Sequence, residues 1–284
     1  CLQTQVTGMS WEETQKRWII KTDRGDAMQA RFVIMSNGPL NRPKLPGIPG
    51  ITDFEGHTFH TSRWDYDYTG GTSEGNLDRL ADQRVAIIGT GATAVQCIPH
   101  LGASAKSLHV FQRTPSSIDV RANRPTDADW AKSLPKGWQK ARMENFNALT
   151  SGRIVEEDLV MDGWTEIIRN LISMANYRGK DIDPRDIPKL MEMADFQKME
   201  QIRARVDTLV EDAKPAEALK PYYRQFCKRP CFHDNYLQTF NRPNVTLVDT
   251  QGQGVTSMSA NGVTANGQTY EVDCVIFATG FEVG

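Results

Sequence analysis

The stretch Arg84–Gln96, RVAIIGTGATAVQ, leaves this chain the least freedom. Val85 to Ile88 is a short run of β-branched and small apolar residues, the composition of a strand covered on both faces. It runs directly into Gly89-Thr90-Gly91-Ala92-Thr93-Ala94, a G-x-G-x-x-A. That pattern is a variant of the loop that receives a dinucleotide pyrophosphate at a helix N-terminus. Gly89 permits the tight turn, Gly91 lets the backbone approach a phosphate, and Ala94 lets the new helix pack on the strand. A helix over Thr93–Leu101 and a second strand over Ser107–Phe111 complete the β–α–β order, which a chance pair of glycines would lack. The helix start adds free N–H groups and a partial positive charge. The fold class predicted is α/β, with a Rossmann-like domain.

The end of the second strand carries the next piece of information. An NAD-binding unit places an acid about 20 residues beyond its glycines, to accept the ribose hydroxyls. Here the sequence is His109-Val110-Phe111-Gln112-Arg113-Thr114, with no acid. A guanidinium at Arg113 suits a 2′-phosphate and gains nothing from a bare hydroxyl. The dinucleotide is therefore read as NADP.

Other classes are constrained by bulk properties. The 284 residues suffice for two domains, or for one with an insertion. A hydrophobic share of 39% and a charged share of 24% are those of a globular chain. A net charge of −2 argues against nucleic acid as a partner. The apolar runs are too short to span a membrane, and no signal peptide is expected. The five cysteines, Cys1, Cys97, Cys227, Cys231 and Cys274, are odd in number and irregularly spaced, as expected of reduced thiols in the cytoplasm. Cys227 and Cys231 with His233 do not make a zinc site, because Lys228 and Arg229 lie between the thiols and no second pair exists; no metal is expected. The first residue is Cys1 rather than Met, and strand character begins at once, so the expectation is a segment internal to a longer protein.

Taken in order, Leu2–Thr7, Arg17–Thr22 and Ala30–Ser36 read as three strands, the last ending at Asn37-Gly38. Arg42–Pro49 carries three prolines and reads as a linker. Tyr66–Asp82 reads as polar loop. From Thr114 to Pro221 strand signals vanish. Trp164, Ile167, Ile168, Leu171 and Ile172 share one helical face, and Met199, Ile202, Val206 and Leu209 share another. Strands return at Val245–Val248 and Val272–Ala278, with Asn261-Gly262 and Asn266-Gly267 as turns between short strands.

Together these residues resemble the Baeyer–Villiger monooxygenases, a branch of the class B flavoprotein monooxygenases. FEGHTFHTSRWD matches that family's identifying pattern F-x-G-x-x-x-H-x-x-x-W-[PD] at Phe54, Gly56, His60, Trp64 and Asp65. VFQRTPSS, the CKRP at Cys227–Pro230, TFNRPNVTLVD and FATGF follow in the family's order. The resemblance covers essentially the whole chain. It implies a partial FAD-binding domain over 1–46, an NADP-binding domain over 47–112 and 222–277, a helical insertion over 113–221 between them, and a return to the FAD-binding domain at 278–284. The family's first G-x-G-x-x-G, which holds FAD, is not in the sequence, so an incomplete FAD-binding domain is expected, with its missing segments supplied by the full-length chain.

By resemblance, the complete enzyme uses FAD, NADPH and O2 to insert oxygen beside a small-molecule ketone carbonyl, giving an ester or lactone; this segment alone is expected to be inactive. Arg229 matches the catalytic cation. Lys228 and Thr114 match residues that join Arg113 at the 2′-phosphate, while His60 and Trp64 couple cofactor binding to domain movement. An N- or S-oxygenating flavin monooxygenase and a non-catalytic NADP-binding module are the alternatives. Asp65 and the Lys228-Arg229 pair favour the Baeyer–Villiger branch.

Overall fold

A computed structural model describes residues 2–153, 155–166, 168–170 and 183–282. The chain divides into two units, residues 1–43 with 281–284, and residues 44–280.

The smaller unit is an antiparallel sheet of three strands, β1 (Val6–Glu12), β2 (Arg17–Thr22) and β3 (Ala27–Ala30), in that order. Trp11 faces Trp18 across β1 and β2, edge to face at 5.7 Å. Two of the three expected strands are displaced. The first begins at Val6 rather than Leu2, because the turn before Arg17 sets the hairpin register and carries β1 to Glu12. The third ends at Ala30, and residues 31–36 form no strand. Their apolar pattern is strand-like, but Phe32, Ile34 and Met35 are exposed, and a strand needs a paired neighbour as well as a pattern.

The larger unit is built on a parallel sheet of five strands: β4 (His57–His60), β5 (Arg84–Ile88), β6 (Ser107–Gln112), β9 (Val245–Asp249) and β13 (Cys274–Phe277). Their spatial order is β4-β13-β5-β6-β9, so the last strand in sequence sits between the first two. β5 is covered on both faces, as its composition requires. Val85 and Ile87 join a core containing Ile98 and Leu101 of the helix Ala92–Ser104 and Tyr236. Ala86 and Ile88 join a second core with Phe111, Val263 and Val275. This second face is covered by an antiparallel meander, β10 (Ser257–Ser259), β11 (Gly262–Ala265) and β12 (Gln268–Glu271); Asn266-Gly267 makes its second turn as predicted, whereas the first is Ala260-Asn261, with Gly262 already paired to Ser259 in β11. Arg84 ties β5 to the strand that enters beside it. Its guanidinium donates to Asp273 at 2.7 Å and Glu271 at 2.8 Å, which holds the Asp273 carboxyl below the usual range.

Between β6 and β9 the chain is mostly helical. The helices Ala128–Ser133, Trp138–Thr150, Ile187–Leu209 and Ala213–Leu219 follow one another, with Asp127 and Asp212 accepting backbone N–H bonds as N-caps. Met199, Ile202 and Val206 are buried on one face of Ile187–Leu209, as their spacing predicts. Trp164 and Ile168 are helical and half-buried; Ile167, Leu171 and Ile172 lie outside the described residues. The helices are flanked by β7 (Ile118–Asp119) before them and β8 (Cys231–Phe232) after them, which pair with each other. Two-residue strands are too short to show a period in sequence. The loop Tyr66–Asp82 likewise contains a short helix, Tyr66–Thr69.

An ammonium is enclosed in this region. Lys198, 4% exposed, donates to Asp119 at 2.6 Å and Glu166 at 2.5 Å. Three elements therefore meet at a single ammonium: β7, the helical residues around Glu166, and Ile187–Leu209. Lys198→Ala leaves two carboxylates facing each other without their cation. It is expected to destabilise the fold by about 3–5 kcal/mol, measured by denaturant unfolding of wild type and variant.

Candidate nucleotide site

The C-terminal ends of β5, β6, β9 and β13 open into a cleft of about 550 Å³. In a parallel α/β sheet this is the edge where ligands bind. The glycine loop forms its floor. Gly89 has φ +114°, and a Cβ there would lie 2.5 Å from the carbonyl oxygen of Ala278, so only glycine fits. Its N–H donates to Phe111 O at 3.0 Å. Thr90 Oγ1 donates to Thr114 O at 3.0 Å, and Ser116 Oγ donates back to Thr90 O at 2.6 Å. The loop is thus fastened to the end of β6 on both sides. At Gly91 a Cβ would meet nothing within 4 Å, so the space before the loop is open. No side chain caps the helix Ala92–Ser104, which leaves its first amide N–H groups for an anion. Thr93 is exposed on the first turn, and Ala94 is fully buried against the sheet.

The cleft is electrostatically one-sided. Lys44, Arg113, Lys228 and Arg229 line it, and no described Asp or Glu does. Arg113 extends from the end of β6 and is exposed. The Lys228 ammonium hydrogen-bonds Thr114 Oγ1 and lies 5.0 Å from the centre of the Tyr223 ring. Burial, and then the neighbouring Arg113, pull its pKa below the ordinary lysine value. Two cations held together at such a cost are stabilised when a multiply charged anion joins them. Arg229 borders this cleft and a second cavity of about 600 Å³ whose walls include Trp64, Trp164 and Phe232. The structure therefore brings Gly89 to Ala92, Arg113, Thr114, Lys228 and Arg229 around one opening; Thr93 and Ala94 do not line it.

The fingerprint residues lie elsewhere. None of Phe54, Gly56, His60, Trp64 and Asp65 lines the nucleotide cleft. They build and brace β4. Phe54 fills the second core, and a Cβ on Gly56 would lie 2.5 Å from Phe54 Cζ. Trp64 packs edge-on to Phe59 at 5.3 Å and donates through Nε1 to Thr69 Oγ1 at 3.1 Å. Asp65 caps Tyr66–Thr69 by accepting from Tyr68 N at 3.0 Å, and meets His57 Nε2 at 2.9 Å; the Tyr68 amide leads in holding its carboxyl below the usual range. His60 ends β4 with Nδ1 accepting from Ser62 N at 3.2 Å. Burial lowers its pKa, opposed by a hydrogen bond with the backbone of Gly280.

Sequence reasoning missed several cleft residues. Ser116 and Thr279 act through single hydroxyls. Thr279 Oγ1 donates to Lys44 O at 2.5 Å, an interaction without a motif. The 253–255 segment lines the cleft too, and the nearby Gly252 and Gly254, both at positive φ, were the available signal. Among the described residues no group of three His, Cys, Asp or Glu side chains could hold a metal, and no helix is long and apolar enough to cross a membrane.

A parallel sheet, an uncapped helix behind a glycine loop and an acid-free cationic cleft define a dinucleotide-binding α/β unit. No family model matches the chain. Among curated relatives, neopentalenolactone D synthase of Streptomyces avermitilis is 60% identical over 281 residues, covering 99% of this chain and 47% of that protein. Baeyer-Villiger monooxygenase ATR8 of Stachybotrys chlorohalonatus is 57% identical over 283 residues, covering 99% and 45%. Among solved structures, the polycyclic ketone monooxygenase of Thermothelomyces thermophila superposes with TM-score 0.84 at 39% identity, over 99% of this chain and 47% of that one. The OTEMO complex with FAD and NADP superposes with TM-score 0.74 at 29% identity, over 99% and 53%. Over 99% of its length the chain is homologous to proteins named Baeyer-Villiger monooxygenase or neopentalenolactone D synthase, and it spans about half the length of the curated relatives it matches.

Gly89→Ala combines a left-handed backbone with a backbone clash. It is expected to cost about 1–3 kcal/mol of stability from the strained φ alone, read by chemical unfolding.

Proposed function

We propose that this chain forms the NADP-binding part of an FAD- and NADPH-dependent Baeyer–Villiger monooxygenase, which inserts one oxygen atom of O2 beside a ketone carbonyl. The observation that carries this reading is the convergence of Arg113, Thr114, Lys228 and Arg229 on the mouth of the glycine loop, with no acid among them. Residues 47–112 and 222–277 are read as the NADP-binding domain, 113–221 as its insertion, and 1–46 and 278–284 as portions of the FAD-binding domain. The four free cysteines among the described residues, Cys97, Cys227, Cys231 and Cys274, suit a cytoplasmic setting.

NADP fits the cleft. Open space before Gly91 admits a pyrophosphate, and the uncapped helix supplies N–H donors to it. Arg113 and Lys228 would hold the 2′-phosphate, with Thr114 Oγ1 orienting the Lys228 ammonium. FAD, when bound, supplies the redox chemistry and the activation of O2. The chain has a single glycine loop of this type, so the FAD phosphates have no counterpart loop within it. Arg229 remains charged at any working pH and donates in a planar fork. It stabilises the negative charge that develops on oxygen as the carbonyl is attacked, and it is no proton donor. Its acid-free surroundings leave that charge available to the reacting atoms.

Two measurements on the full-length protein test the reading. Losing one charge-assisted contact to the 2′-phosphate costs about 1.5–3 kcal/mol. Arg113→Ala should therefore raise the apparent constant for NADPH about ten- to a hundredfold and leave that for NADH nearly unchanged; equal weakening of both would make Arg113 structural. With a cyclic ketone, wild type should give lactone by gas chromatography. Arg229→Ala should lose it by about two to three orders of magnitude and release hydrogen peroxide instead. Oxygenation of amines or sulfides with no lactone would place the protein with the N- and S-oxygenating flavin monooxygenases.

A further inference from the structure

Arg229 has a fixed base and a free end. Pro230 restricts the backbone on one side, and the β7–β8 pairing holds Cys231 opposite Ile118, with Cys231 N donating to Ser117 O at 3.0 Å. This locates the Cα. It does not locate a guanidinium at the end of a long exposed side chain. No described carboxylate pairs with it. Its recorded partner is the ring of Trp164, with Cζ 5.7 Å from the ring centre.

We infer that Trp164 is a positioning residue for Arg229, holding the guanidinium over its indole face without neutralising it. The inference rests on the catalytic reading of Arg229 above. A carboxylate partner would orient the guanidinium more strongly, but it would also occupy its donors and cancel the charge that a developing oxyanion requires. An aromatic face attracts the cation through its quadrupole and leaves the edge N–H groups free.

The indole is itself held on several sides. It packs against Phe232 at 5.5 Å, the residue that ends β8. Its backbone N–H donates to Asp162 Oδ1 at 2.9 Å. The next residue, Thr165, is fully buried and donates to Asp158 Oδ2 at 2.5 Å; Arg169 donates to the same oxygen at 2.7 Å. The residue after that, Glu166, is bound to the buried Lys198, which also holds Asp119 of β7. β7 pairs with β8, the strand that begins two residues after Arg229. The ammonium of Lys198 thus connects the element that carries the indole with the element that fixes the base of the arginine.

A tryptophan that only fills a wall would be indifferent to the charge on its face, and this separates the two roles. A 5-fluorotryptophan placed at position 164 by site-specific incorporation gives one ¹⁹F resonance. That resonance should move on Arg229→Ala, and by less on Arg229→Lys; no movement on Arg229→Ala overturns the inference, whatever the enzyme catalyses. In the full-length holoenzyme, the ratio of ester formed to NADPH consumed should fall stepwise as more heavily fluorinated tryptophans, of nearly the same shape, are placed there. Trp164→Leu should lower the ratio about five- to tenfold, and Trp164→Phe should keep more than half of it. A ratio insensitive to both fluorination and Trp164→Leu would also overturn the inference. If wild type makes no ester from any ketone, the reading of the enzyme fails, while the ¹⁹F result still decides whether Trp164 holds Arg229.

Discussion

The pairing of Cys274–Phe277 between His57–His60 and Arg84–Ile88 is the constraint on which the site depends. β13 completes the parallel sheet between two strands that precede it by nearly the whole length of the unit. Its register sets Phe277 beside Ile88 on one side and beside His60 on the other. Ala278 then lies against Gly89, and Gly280 reaches His60. The turn of the glycine loop, the brace of the fingerprint histidine and one wall of the nucleotide cleft all follow from this one strand. Asp273, immediately before it, accepts both the backbone N–H and the guanidinium of Arg84, which fastens the register at its other end.

Charge is distributed by a related logic. Several described cations that brace the fold are paired with carboxylates: Arg84 with Asp273 and Glu271, Lys198 with Asp119 and Glu166, Lys220 with Asp207 and Glu217. Two of the four at the cleft are held by neutral groups instead. Lys228 rests on Tyr223 and Thr114, and Arg229 on Trp164. Such partners orient a charge without consuming it, so the field at the strand ends stays positive for an incoming anion.

How much of this was legible in the sequence depends on the range of the interaction involved. The glycine loop was readable because turn, helix start and strand packing are all local, and Arg113 was readable because it ends the adjacent strand. The face of Ile187–Leu209 was readable from its period. The strand order was not, since nothing in Cys274–Phe277 says which edges it will join. Residues 31–36 show the same limit from the other side: alternation described a strand, but pairing decides one. Resemblance brought Lys228 and Arg229 forward, where composition had shown only two cations between cysteines. Ser116 and Thr279 stood inside the family segments VFQRTPSS and FATGF without a role being readable, and Lys198 had no signal, because each acts through one polar atom meeting a distant segment.

The central position of β13 also governs how the sheet can be made. Arg84 and Asp273, which meet in it, are separated by 189 residues, so closing that contact costs loop entropy before any burial rewards it. As the chain leaves the ribosome, β4 and β5 emerge long before the strand that joins them, and each presents an unpaired edge for that interval. The helices Trp138–Thr150 and Ile187–Leu209, closed by local backbone bonds, can form in the meantime. Assembly of the cleft is then a late event, set by the arrival of four residues near the end of the unit rather than by the glycine loop.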